Sequence, residues 1–453
     1  MTDNLFDPIV KKKNNNCEIF TSRVKISECP VDKGASYIRS ADERGYSIRS
    51  LHDGRLGTSS SNIFEKKAVE KTMKLSVDAA ARSNKLPSSF SFTDTEGTST
   101  PGQRHDPNIS KDMDTISTEL AEECIQMAEE SKIHLTNGKV RLIEFEYTIR
   151  NSLGIEKTEI GTYIMAMIES KPETKKPVSE LSSVYMKRMY DKSAFLSWFK
   201  NRLDLTGKYT SPKKLEGGTY DTIISPQVIG SLLTDTIGYW ASGKSRVDGI
   251  SVFAGKENEL VASESFSASD DPLYPDAPST FGIDAEAQKT KKTDIIKNGI
   301  FKNYIYDNKY SSYFDTSSTG NSKKASILGS EKIYTSPTFS ALHNLVIPEG
   351  KEKLSSLLDN FTGIFIDSVG IPSADRETGN FGFELRNAFL VKKGEMTPVR
   401  YGIYSGKVQD IIKSTHMTSK DREIVADRAA PEFNSACICP YFVLEKQHIS
   451  GAK

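Results

Sequence analysis

The chain has 453 residues, enough for two to four domains with sizeable cores. Hydrophobic residues make up 37% and charged residues 26%, a balance that excludes a disordered or fibrous chain. Lys plus Arg and Asp plus Glu stand at 60 each, so the basic excess of a dedicated nucleic-acid binder is missing.

The first residues place their charges after a short, mixed apolar patch, the wrong order for a secretory signal, so a cytoplasmic protein is expected. From Cys17 the chain alternates as a small β-meander, with strands over Cys17–Val31, Ala35–Leu51 and Gly54–Ser61. Asp53-Gly54 is a hairpin turn of the kind that needs positive φ. Helical spacing follows from Ile63 to Arg82, with Phe64, Ala68, Met73, Val77 and Ala80 near one face. Pro87–Asn108 is rich in Ser, Thr, Pro and Gly and reads as a linker or long loop, with His105 solvated in it.

A second unit begins near Asp114 with a helix, followed by strands over Lys139–Ser152 and Ile155–Ser170 joined at Asn151–Gly154. The longest apolar runs, such as Tyr163–Ile168, fall far short of the ~20 residues a bilayer span needs. Lys171–Pro177 is a polar loop, Ser182–Leu203 a helix, and Thr206–Gly218 a break. The remainder reads as one domain of short strands and turns, with helices at Pro226–Trp240, Lys351–Asn360 and Lys407–Lys413. No repeat period is present. The expected divisions are an α+β domain over 1–90, a linker over 91–113, a second α+β domain over 114–216 and a β-rich domain over 217–453. The basic runs Lys11–Lys13 and Lys289–Lys292 are short and read as solvated loops.

Five cysteines at 17, 29, 124, 437 and 439 are odd in number and irregular in spacing, which argues for a reducing compartment over a disulfide framework. Cys437 and Cys439 would share one face of a strand and could meet one ion. Packing as small hydrophobes is the simpler expectation.

Several pieces, in this order and spacing, resemble the TldD/PmbA family, also called modulators of DNA gyrase. They are Asp42–Gly57, Arg150–Glu156, Gly217–Leu233, Ser251–Lys256, Asp270–Glu286, Lys297–Asp307, Ser318–Asn321 and Glu377–Ile412. The resemblance implies an α+β fold with two small N-terminal α/β units and a larger β-rich C-terminal domain. TldD-like members carry a His-Glu-x-x-x-His stretch and a cysteine nearer the C-terminus, and act as metallopeptidases on flexible peptides. TldE/PmbA-like members lack those ligands and pair with a TldD-like partner.

The stretch that corresponds to the metal motif lies on the expected helix Pro226–Trp240. Ser225 is a good N-cap, Pro226 suits the first position, and Val228, Ile229, Leu232, Leu233, Ile237 and Trp240 form a buried stripe. By the resemblance, Thr234 stands where the first ligand would be, Asp235 where the general base would be and Tyr239 where the second ligand would be. Residues five apart differ by about 140° on a helix, so such ligands converge only where the helix ends or distorts, which Gly238 permits. Zinc needs about three N, S or carboxylate ligands and an open position. Thr and neutral Tyr are poor ligands, and one carboxylate cannot both hold the ion and act as base. Cys437 and Cys439 fall several residues later than the cysteine of TldD-like members. His52, His105, His134, His343, His416 and His448 show no metal-ligand spacing among themselves.

The aromatic stretch Phe301–Phe314 has two readings: strand residues packed in pairs, or a wall for a peptide or partner built from Phe301, Tyr304, Tyr306 and Tyr310. The resemblance then implies a non-catalytic, metal-free TldE/PmbA-like subunit with no catalytic residues and no cofactor of its own, zinc being expected only in a TldD-like partner. Its partners would be that subunit, a second copy of itself, or both, with a peptide as substrate and neither membrane nor nucleic acid bound directly. The alternatives are an active metallopeptidase using Asp235 with Cys437 or Cys439, and a non-proteolytic interaction protein modulating DNA gyrase.

Overall fold

A computed structural model describes residues 5–12, 15–31, 37–100, 104–175, 177–324, 332–426 and 435–451. Outside them lie Lys13 of the first basic run, the first two residues of the second expected strand, Lys176 of the polar loop, and residues 427–434 just ahead of the two C-terminal cysteines.

The N-terminal half is built on β1 (Cys17–Pro30), β2 (Arg39–His52), β3 (Arg55–Ser61), β4 (Ile133–Asn151), β5 (Glu156–Pro172) and β6 (Leu181–Lys187). They form one sheet in the order β3-β2-β1-β4-β5-β6. β1 pairs antiparallel with β2 along one edge and with β4 along the other. The stretches 1–90 and 114–216 therefore share a sheet rather than folding as separate units, and 91–113 is not a boundary between them. Local turn signals reveal only neighbouring strand pairs, whereas the β1–β4 pairing joins residues more than a hundred positions apart.

The turns follow their chemistry. Asp53 and Gly54 both adopt positive φ, 49° and 72°, as the two-residue hairpin requires. Among the described residues up to Trp240 the helices are α1 (Asp7–Val10), α2 (Lys66–Ala80), α3 (Pro107–Lys111), α4 (Met113–Glu130), α5 (Lys192–Lys208) and α6 (Pro226–Trp240). The helix expected over 182–203 is β6 followed by α5. Leu181, Ser183 and Tyr185 are buried at alternate positions, and the Asp191 carboxylate caps the Ala194 amide at 2.9 Å, so the helix begins only at Lys192.

Side-chain alternation gives the sheet two apolar faces. On one, Val140, Leu142, Ile164 and Ala166 pack against Leu120, Ala121 and Cys124 of α4 and Phe195, Phe199 and Leu203 of α5. On the other, Phe20, Val24, Phe145, Tyr147 and Tyr163 pack against Phe281, Ile283 and Ala285 of the C-terminal domain. The segment expected as a linker runs along that seam without regular structure, yet it is pinned. Thr93 donates to the Glu286 carbonyl, the Ser99 amide to the Gly282 carbonyl at 3.0 Å, and Lys157 Nζ to the Thr95 carbonyl at 2.8 Å. Polar hydrogen bonds hold it, so no apolar periodicity marks it.

The C-terminal domain carries a 12-stranded mixed sheet. Its long strand Ala436–Ser450 lies between Asn344–Val346, parallel, and Gly218–Ile224, antiparallel, and also pairs with Met417–Ala426. α6 lies on this sheet, and the expected shorter helices span Leu354–Asn360 and Val408–Ser414. Among the described residues no helix is long and apolar enough to cross a membrane.

Candidate functional site

α6 starts as its sequence dictates. Ser225 Oγ accepts from the Val228 amide at 3.4 Å and donates to the Asp367 carbonyl at 2.6 Å, tying the N-terminus to the strand Thr362–Val369. Val228, Ile229, Leu232, Leu233, Ile237 and Trp240 are all at most 1% exposed. Gly230 lets the helix approach the strand that bears the cysteines, since a Cβ there would sit 3.2 Å from Cys437 Cβ.

Gly238 neither ends nor distorts the helix, which runs unbroken to Trp240. Its role is close packing: a Cβ would meet Leu342 Cδ1 at 2.9 Å. Thr234 and Tyr239 therefore stay about 140° apart around the axis. Thr234 Oγ1 donates to the Gly230 carbonyl at 2.8 Å, the usual back-bond of a helical threonine. Tyr239 points to the segment that follows the strand Thr362–Val369. Its hydroxyl donates to Glu377 Oε1 at 3.4 Å, and the Arg376 guanidinium lies 5.8 Å from its ring. Burial, with Glu377 nearby, pushes the Tyr239 phenol up, so it stays neutral. Asp235 is half-buried on the same helix.

Cys437 and Cys439 are fully buried among the apolar side chains between α6 and the sheet. Burial, then Cys437, pushes the Cys439 thiol well above the usual range, which disfavours the thiolate a metal takes. The stretch just ahead of them, where the cysteine of TldD-like members is expected, lies outside the described residues. His343 is buried with Nε2 2.9 Å from the Gly320 carbonyl. Burial, then Lys323, brings it down to about 3, so it is neutral. His52, His105, His134, His416 and His448 are scattered along the sequence. Among the described residues, no three His, Cys, Asp or Glu side chains are grouped to hold a metal ion. The donor set on α6 does not fit zinc, because its one carboxylate is flanked by an engaged hydroxyl and a diverging neutral phenol.

The aromatic wall expected from Phe301, Tyr304 and Tyr306 is not at the surface. These three side chains are 0%, 3% and 6% exposed and belong to the core that covers α6. Phe301 stacks on Phe253 at 4.5 Å, and Arg246 sits 4.6 Å from the Tyr304 ring and 4.0 Å from that of Phe314. Aromatics packed in pairs is the reading that holds for them, and Tyr310 is half-buried beside them.

Sequence reasoning missed a buried ionic cluster at the seam. Glu18 and Arg49, paired across β1 and β2, meet Glu286 of the C-terminal domain. Glu18 lies in register with Phe20 and Val24, so a charge at an inward strand position was the available signal. Glu286, 237 positions from Arg49, gave none.

Residues 217–451 match the PmbA/TldA metallopeptidase C-terminal domain family. A metalloprotease from Methanocaldococcus jannaschii is 30% identical over 209 residues, 46% of this chain and 45% of that one. A zinc metalloprotease TldD homolog from Saccharolobus solfataricus is 22% identical over 421 residues, 89% of this chain and 88% of that one. The crystal structure of TldE from Thermococcus kodakarensis superposes with a TM-score of 0.85 at 21% identity, covering 99% of this chain and 98% of that one, so the two share a fold.

Proposed function

The chain belongs to the PmbA/TldD metallopeptidase family, and from that premise we propose that it is a metal-free subunit which assembles with a TldD-like metallopeptidase and leaves peptide hydrolysis to it. The observation that carries this reading is the unbroken α6. Where TldD-like members would need two converging ligands and a base, this chain has a threonine bonded to its own helix, an aspartate, and a tyrosine turned toward Glu377. A subunit without hydrolytic chemistry contributes through binding, by shaping and stabilising a chamber for flexible peptides that its partner cleaves.

The test is to purify the chain alone and together with a TldD-like subunit. The expected result is no zinc in the chain alone, a stable complex on mixing, and peptidase activity that follows the partner's metal. About one zinc per chain in the isolated protein, lost on Asp235→Ala, would overturn it. Capture of DNA gyrase subunits without any TldD-like protein would favour a non-proteolytic interaction role instead.

A further inference from the structure

The seam between the six-stranded sheet and the C-terminal domain encloses more carboxyl groups than its donors satisfy. Arg49 Nη1 donates to Glu286 Oε1 at 2.5 Å, while Arg49 Nε and Nη2 both donate to a single oxygen, Glu18 Oε1, at 3.0 and 2.5 Å. Glu286 Oε2 accepts from the Asn308 amide at 2.8 Å, so both oxygens of Glu286 have donors. Glu18 Oε2 and Asp307 Oδ2 have none, although both residues are only 1% exposed. Asp284, close by, accepts from the amides of Glu286, Gln288 and Ser322 at 2.8 to 2.9 Å. No three acidic groups converge on a metal position among the described residues. A proton is the cation that an orphaned, buried carboxyl oxygen can still take.

We propose that Glu18 and Asp307 carry protons in the folded chain near neutral pH, leaving Arg49–Glu286 as the ion pair at the centre of the cluster, and that ionising them loosens the sheet from the C-terminal domain. This holds whether or not the chain is a metal-free subunit.

The surrounding charges agree. Around Glu18 stand Arg49, Glu286, Lys324 and Cys17, and around Asp307 stand Glu286, Arg49 and Lys309. Burial, opposed by Arg49 and reinforced by Glu286, pushes Glu18 up to about 7. Burial, then Glu286, pushes Asp307 up to about 7. Burial, then Glu286, also raises Asp284, while its three amides pull the other way. Cys17 is pushed up to about 12 by burial and Glu18, so it adds no charge. Lys324, whose Nζ donates to the Ser336 carbonyl at 2.6 Å, is brought down to about 7 by burial and Arg49.

The signs oppose each other. Glu18 and Asp307 rise from ordinary values of 4.5 and 3.8, so the stability they contribute is complete below those values and is lost as pH climbs through 7. Lys324 falls from 10.5, so its contribution is present above that value and lost as pH falls through 7. The seam is therefore loosest near neutrality and tightens in either direction.

Amide hydrogen exchange of β1 and β2, corrected for intrinsic rates and compared at pH 5 and pH 7.5, tests this on the unaltered chain. The expected result is protection at least about tenfold lower at pH 7.5, because a tenfold difference in proton affinity between the closed and loosened seam changes the opening equilibrium by the same factor. Glu18→Gln and Asp307→Asn should keep protection at pH 7.5 and flatten the difference, because each supplies a neutral side chain where a proton is otherwise needed. Equal protection at both pH values in the unaltered chain would overturn the proposal. So would loss of protection in either variant at pH 7.5, the sign that the carboxylates are ionised and needed as anions.

Discussion

Helix α6 and the seam around Arg49 are both buried, yet they treat polar groups in opposite ways. On α6 the hydroxyls turn back on their own helix: Ser231 donates to the Gln227 carbonyl, Thr234 to Gly230 and Thr236 to Leu232. At the seam, an arginine bridges two glutamates from different domains, and two carboxyl oxygens find no donor. The helix to which the family resemblance directs attention for chemistry is packed along an apolar stripe. At the seam, ionisable groups shifted by burial join the two halves of the chain.

The contrast breaks most readily at Arg49. Arg49→Met removes the cation that faces Glu286 and leaves a buried carboxylate unpaired, a loss of about 3–5 kcal/mol expected in urea unfolding. A loss under about 1 kcal/mol would mean that water reaches the seam and that the cluster is not a tight joint. On α6 the comparable cost comes from apolar burial. Leu233→Ala deletes a fully buried side chain and should cost about 2–5 kcal/mol, whereas Thr234→Ala next to it should stay within about 1 kcal/mol. Similar losses for the two would show that the polar positions of α6 carry structural weight assigned here to the stripe.

Much of this is legible in the sequence, and the parts that are not share a cause. The limits of α6, its Ser225 cap and its apolar stripe follow from local spacing, as do the Asp53-Gly54 hairpin and the helix before Pro87. The single N-terminal sheet does not, because β1 pairs with β4 across more than a hundred residues. The Ser182–Lys187 stretch passes for helix because its alternation is short and lies just ahead of a true helix. The core position of Phe301, Tyr304 and Tyr306 is hidden because aromatic residues suit a core and an interface equally well, and only packing against α6 separates the two. Gly238 carries two meanings in sequence, helix break or close approach, and the contact with Leu342 selects the second. The seam cluster is invisible for the same reason as the sheet: Arg49 and Glu286 lie 237 positions apart.

The smallest expected effect comes from rebuilding the missing ligands. Thr234→His, Asp235→Glu and Tyr239→His together should leave zinc uptake unchanged, because along an unbroken helix the two imidazoles diverge by about 140° and no third ligand is grouped with them among the described residues. Stoichiometric zinc in the folded triple variant would show that the helix yields where Gly238 sits.

Light scattering with elemental analysis on the chain alone, on a TldD-like subunit alone and on their mixture decides whether this chain is a metal-free partner. A complex is expected in the mixture, with zinc in proportion to the TldD-like subunit and none added by this chain. Zinc bound to this chain alone, or no complex at micromolar concentrations of both, would contradict it.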